Sequence, residues 1–141
     1  MKKLTGLSLA LAALLSLPAV AQMERQSAPE DARVYIVSPA NGAVVPTTFT
    51  VIFGLSGMGV APAGMDMNNT GHHHLLINGE STPDMDVSMG DEVIHFGLGQ
   101  TETTVTLEPG EHTLQLILGD YLHIPHDPPV MSPVITVTVK E

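Results

Sequence analysis

The sequence has no cysteine and no tryptophan, only three phenylalanines and two tyrosines, and five basic residues against fifteen acids. Each scarcity removes a class of function. Without cysteine there is no disulfide frame, no thiolate nucleophile and no thiolate metal site, so the chain must be held by packing, hydrogen bonds or a bound ion. With so few aromatic residues, a sugar-stacking lectin face is not expected. A formal charge of −10 at neutral pH disfavours nucleic acid and anionic lipid, and raises the local concentration of cations, metal ions among them.

The N-terminus reads as an export signal. Lys2 and Lys3 precede an apolar run from Leu4 to Leu17, Pro18 breaks it, and Ala19-Val20-Ala21 is a small-x-small cleavage site. Residues 1–21 are therefore expected as a signal peptide, cleaved after Ala21, and the product as periplasmic or secreted. The run falls short of the ~20 apolar residues a membrane span needs. No cysteine follows it to carry a lipid, and no membrane span is expected in the mature chain. Arg25, Arg33 and Lys140 are then the basic residues left against all fifteen acids. Residues 22–32, polar and mixed in charge, are expected as a flexible linker, and 33–141 as a single domain.

Beyond the signal nothing reads as a useful helix. Val34–Val37, Thr48–Phe53, His72–Ile77, Glu92–Phe96, Gln100–Leu107, Glu111–Leu118 and Val134–Val139 read as strands, rich in β-branched residues or alternating in polarity. Turn signals separate them, among them Asn41-Gly42, Asn78-Gly79 and Pro109-Gly110. About seven short strands so spaced predict an all-β, immunoglobulin-like antiparallel sandwich, with a small β-barrel as the alternative.

All seven histidines lie between positions 72 and 126. In a strand, side chains alternate, so His72 and His74 share a face and His73 points the other way. Residues i and i+2 stand roughly 6.6 Å apart at Cα, and two imidazoles so placed can converge on one ion at about 2 Å from each nitrogen. An isolated pair of this kind would more simply be a core-edge feature; His95, His112, His123 and His126 tilt the reading toward a metal site. His112 shares a face with Leu114, Leu116 and Leu118, at the rim of the expected core. His123 and His126 sit in a loop stiffened by Pro125, Pro128 and Pro129, where Asp127 can orient an imidazole or ligate. His73, Asp127, Met65 and Met67 are secondary candidates. Methionines are most often core filler, but thioether with imidazole suits copper, while imidazole with carboxylate suits Cu(II) or zinc.

Several blocks together resemble a known family. They are Gly71-His72-His73-His74-Leu75-Leu76-Ile77; His95-Phe96-Gly97 with Gly99-Gln100-Thr101-Glu102-Thr103; His112-Thr113-Leu114-Gln115-Leu116 with Leu118-Gly119-Asp120; and His123-Ile124-Pro125-His126-Asp127-Pro128-Pro129-Val130. Over roughly Val34 to Val139 the chain is similar to the exported bacterial domain of unknown function catalogued under number 4399. The resemblance implies a compact β-domain behind a signal peptide and supplies no activity.

The favoured expectation is a periplasmic metal-binding protein for copper or zinc, serving storage, delivery or tolerance. Neutral imidazole is the ligand form, so binding is expected to weaken as pH falls through ~6.5. The alternative is a metal-free module whose histidines brace the fold and whose partner is another envelope protein. A metal-dependent enzyme ranks third: no nucleophile elbow or zinc-protease helix is present, and no catalytic residue is assigned.

Overall fold

The computed structural model describes residues 23–79 and 82–141. The expected signal peptide and its cleavage site lie outside these residues. The described part is all-β, with nine strands: β1 (Arg33–Ser38), β2 (Val44–Pro46), β3 (Thr48–Ser56), β4 (Gly59–Val60), β5 (Thr70–Ile77), β6 (Ile94–His95), β7 (Glu102–Thr106), β8 (Gly110–Gly119) and β9 (Ile135–Lys140). No helix among the described residues is long and apolar enough to cross a membrane.

Two sheets face each other, as expected of a sandwich. The smaller runs β1-β3-β7, all antiparallel. The larger runs β2-β9-β8-β5-β4, with β6 also paired to β5, and curls into a half-barrel. Two elements escaped the expected count of seven. β2 and β4 are two or three residues long, too short to show a period, and both pair in parallel, with β9 and β5. The strand expected over Glu92–Phe96 narrows to Ile94–His95, because Val93 is held in a turn by a bond from its N–H to the Gly90 carbonyl.

Alternation builds the core. Phe49, Val51 and Phe53 of β3 point inward, against Leu75 of β5, Leu114, Leu116 and Leu118 of β8, and Val137 and Val139 of β9. Burying each of these large side chains contributes about 1.5–3 kcal/mol. A second, smaller cluster lies on the opposite face of the larger sheet, where Met89 and Val93 pack on Leu76 and Ile117. β5 is therefore covered on both faces, and every residue from Gly71 to Leu76 is buried. The loop over 82–93 and the turn over 120–124 form the second cover. Beyond that turn, the chain continues along the edge of β8, where Leu118 N–H donates to the Val130 carbonyl and Ser132 N–H to the Leu116 carbonyl.

The segment expected as a flexible linker is fastened to the domain in its described part. Ser27 bridges Asp127, the Ala28 N–H donates to the Asp127 carbonyl at 3.1 Å, and the Asp127 N–H donates to the Gln26 carbonyl at 2.9 Å.

Candidate metal centre

The centre starts from β5. His72 and His74 emerge together on the face covered by the 82–93 loop, with ring centroids 4.6 Å apart. His73 emerges on the other face and packs on Phe53 at 5.1 Å, inside the sandwich. β6 then brings a third imidazole. Its antiparallel register sets His95 opposite His74, and His95 Nε2 lies 3.1 Å from His72 Nε2. This spacing is close to the roughly 3.3 Å that separates two nitrogens sharing one tetrahedral ion. One ligating atom from each of His72, His74 and His95 falls within 4.8 Å of the others.

His123 closes the group from the turn after β8. Its ring centroid stands 4.4 Å from His95, 5.0 Å from His72 and 5.9 Å from His74. Its φ is +67°, a conformation that costs a non-glycine residue on the order of 1 kcal/mol and needs outside support. Asp120 gives much of it. Its Oδ1 accepts the N–H groups of Leu122 and Ile124, and its carbonyl accepts that of His123. The His123 carbonyl in turn accepts the Met89 N–H at 2.9 Å, which ties the turn to the covering loop.

Two glycines leave room for the rings. A Cβ on Gly119 would lie 2.6 Å from His74 Cε1 and 3.0 Å from Met89 Cε. A Cβ on Gly97 would lie 2.2 Å from His95 Cε1. Both contacts are too short for a real carbon, so any side chain there displaces an imidazole.

Burial keeps these imidazoles neutral. His72 is pushed down to about 3 by burial first, and then by the charges that His123, His95, His73 and His126 would carry. His74 is likewise pushed down to about 3, by burial and then by His72, His95 and His123. His95, at the solvent edge, is lowered by its partial desolvation and by His123. His73 is lowered by burial; the backbone of Gln100 opposes this slightly without completing a hydrogen bond. Neutral imidazole is the form that ligates a metal. The acid weakening expected near 6.5 is thus displaced well downward for His72 and His74.

Several buried nitrogens lack partners: Nδ1 of His72, and both ring nitrogens of His73 and of His74. Leaving a buried polar atom unpaired costs about 1–3 kcal/mol. An ion between His72, His74 and His95 gives one ring nitrogen of His74 a partner; it meets His72 through Nε2, so Nδ1 of His72 stays unpaired. Nothing in the fold explains the two orphan nitrogens of His73.

The remaining sequence candidates lie elsewhere. His112 stands seven residues from Gly119 along β8, roughly 23 Å away. Its Nδ1 accepts from Asn78 and its Nε2 donates to the Glu108 carbonyl, so both nitrogens are engaged. His126 is buried, with Nε2 at 3.1 Å from the Thr70 carbonyl and Nδ1 at 3.4 Å from that of Leu118; it staples its loop to β5 and β8. Asp127 is exposed and faces Arg25. Met65 and Met67 stand half-exposed in the loop before β5. Met89, in a loop whose methionines read from sequence as filler, is the thioether beside His74. Gly97, Gly119 and Asp120 were not singled out as site residues either. Each sits next to a strand end, and a glycine or aspartate there signals a turn as readily as a site. A groove of about 600 Å³ runs along Glu24–Ser27, Asn68, Asn69 and Tyr121 and is lined by none of the histidines.

A family model described as a domain of unknown function, DUF4399, matches residues 51–140, which include β5 to β9 and all seven histidines. No curated protein and no solved structure matches the chain.

Proposed function

The chain belongs to the DUF4399 family, a domain of unknown function, and we propose that it is an exported metal-binding protein that holds copper or zinc on His72, His74 and His95, with His123 as a fourth ligand. One observation carries this reading: three imidazoles with lowered proton affinity meet within 4.8 Å, two of them buried, and both ring nitrogens of His74 lack a hydrogen-bond partner. Imidazole donors without thiolate suit copper and zinc. The buried pair supplies affinity, and the exposed His95 with the half-buried His123 leaves a route to solvent. Storage, delivery or tolerance in the periplasm fits a site open on one side, and export follows from the signal-like N-terminus ending at Ala21.

The test is elemental analysis of untagged protein from its native compartment, followed by calorimetric titration with Cu(II) and Zn(II). About one ion per chain is expected, and lost when His72 and His74 are both changed to Ala. A wild-type protein that retains neither metal sinks the proposal.

A metal-free interaction module is the second reading. The His72–His95 contact and the bond that His126 Nε2 donates to the Thr70 carbonyl favour it, since both are cross-links of a structural network. It predicts that the His72→Ala, His74→Ala double variant loses stability in metal-free buffer. The metal reading predicts that the loss appears chiefly when the ion is present.

A further inference from the structure

The two pieces of chain that cover the histidines, the 82–93 loop and the 120–127 turn, are joined by a side chain from the far N-terminal end. Arg25 donates from Nε to the Pro125 carbonyl at 3.0 Å and from Nη2 to the His126 carbonyl. Its Nη1 stands 3.7 Å from Asp86 of the first loop and 3.9 Å from Asp127 of the second. The guanidinium is largely buried while both carboxylates are exposed. Ion pairs with exposed carboxylates contribute little. The grip therefore rests on the two carbonyls, with a planar fork that a lysine does not offer. Backbone bonds from Gln26 and Ala28 to Asp127 fix the approach.

These contacts bear on the metal centre through His123. Its positive φ is supported on one side by Asp120 and on the other by Met89, which belongs to the loop that Arg25 reaches through Asp86. Pro125 and His126, held by Arg25, follow His123 by two and three residues. His72, His74 and His95 sit on paired strands and need no such clasp.

We infer that Arg25 is a positioning residue for His123: through the Pro125 and His126 carbonyls the N-terminal segment grips the turn that carries His123, and this grip brings His123 to the ion as its fourth ligand. The inference rests on the metal-binding reading. It makes residues 25–28, which lie outside the span matched by the family model, part of the working site.

The experiment is a double-variant cycle with Cu(II) as the probe: wild type, R25M, H123A, and R25M with H123A. Affinity is measured by calorimetry, and the number of bound nitrogens by electron paramagnetic resonance. Removing an outer partner of a ligand typically weakens metal binding about 10- to 100-fold, and this loss is expected for R25M, together with one nitrogen fewer in the spectrum. In the H123A background the same substitution is expected to change nothing further. A merely structural role weakens binding equally in both backgrounds and leaves the nitrogen count unchanged, and either result overturns the inference. Should R25M not fold, R25K, which keeps the charge but lacks the planar fork, replaces it, with the same loss expected in the wild-type background and none in H123A. Failure of wild type to bind either Cu(II) or Zn(II) overturns both readings; failure with Cu(II) alone, or binding indifferent to Arg25, overturns only this one.

Discussion

Acidification from pH 7 to pH 5 separates this centre from an ordinary cluster of histidines. An exposed imidazole with a pKa of 6.5 competes with protons for the metal by a factor of about 1.3 at pH 7 and about 33 at pH 5, a loss of roughly 25-fold. Three such ligands acting together would lose about 10⁴-fold. In the folded protein His72 and His74 titrate near 3, and His95 is lowered as well. At pH 5 the first two are almost wholly neutral, so their share of the loss vanishes. In an H123A variant, where the three strand histidines alone hold the ion, the expected weakening is at most about 25-fold, the effect of one ordinary imidazole. Equilibrium dialysis with Zn(II) in non-coordinating buffer, read by elemental analysis at both pH values, measures it directly. A loss beyond about 100-fold refutes the reasoning: either the buried pair is not desolvated or it does not hold the ion.

The same depression acts on the metal-free fold with a definite sign. Because the folded-state values lie below the unfolded 6.5, stability is full above that pH and falls as pH drops from 6.5 toward 3. Between pH 7 and 5 His72 and His74 should each remove about 2 kcal/mol; urea unfolding at stepped pH that stays flat across this interval contradicts it. Gly119→Ala drives a methyl into His74 and Met89, so it should lose metal and about 1–3 kcal/mol of stability; retained affinity would show that the pocket yields. His126→Ala removes the staple between the loop and β5, and is expected to lower the melting temperature by several degrees. His112→Ala, at the other end of β8, should leave metal binding unchanged in calorimetry, and a tenfold loss would place it wrongly.

Local geometry was legible in the sequence and long-range geometry was not. Strand alternation is a two-residue rule, and it assigned His72 and His74 to one face and His73 to the other, where they are found. The arrival of His95 depends on the register of a two-residue strand, which has no period to read. His123 and His126 share one proline-rich loop. Which of them joins the centre is decided by a positive φ and the oxygens of Asp120, not by the prolines. His112 and His126 looked equivalent to the others because residue type does not reveal that their nitrogens already bond to Asn78 and to backbone carbonyls. Residues 25–28 looked like a linker because their composition is polar. They are held through backbone groups and one guanidinium, which composition does not report.

The double burial of β5 divides the centre mechanically. His72 and His74 stand on a strand locked between β8, β4 and β6, which opens only with the domain. His95 and His123 stand at the edge, one on a two-residue strand and one on a turn. The first pair acts as an anvil and the second as a latch. Residence time and affinity then become separate properties. Substitutions in the turn should change how fast an ion leaves, while substitutions of His72 and His74 in β5 should change how tightly it is held.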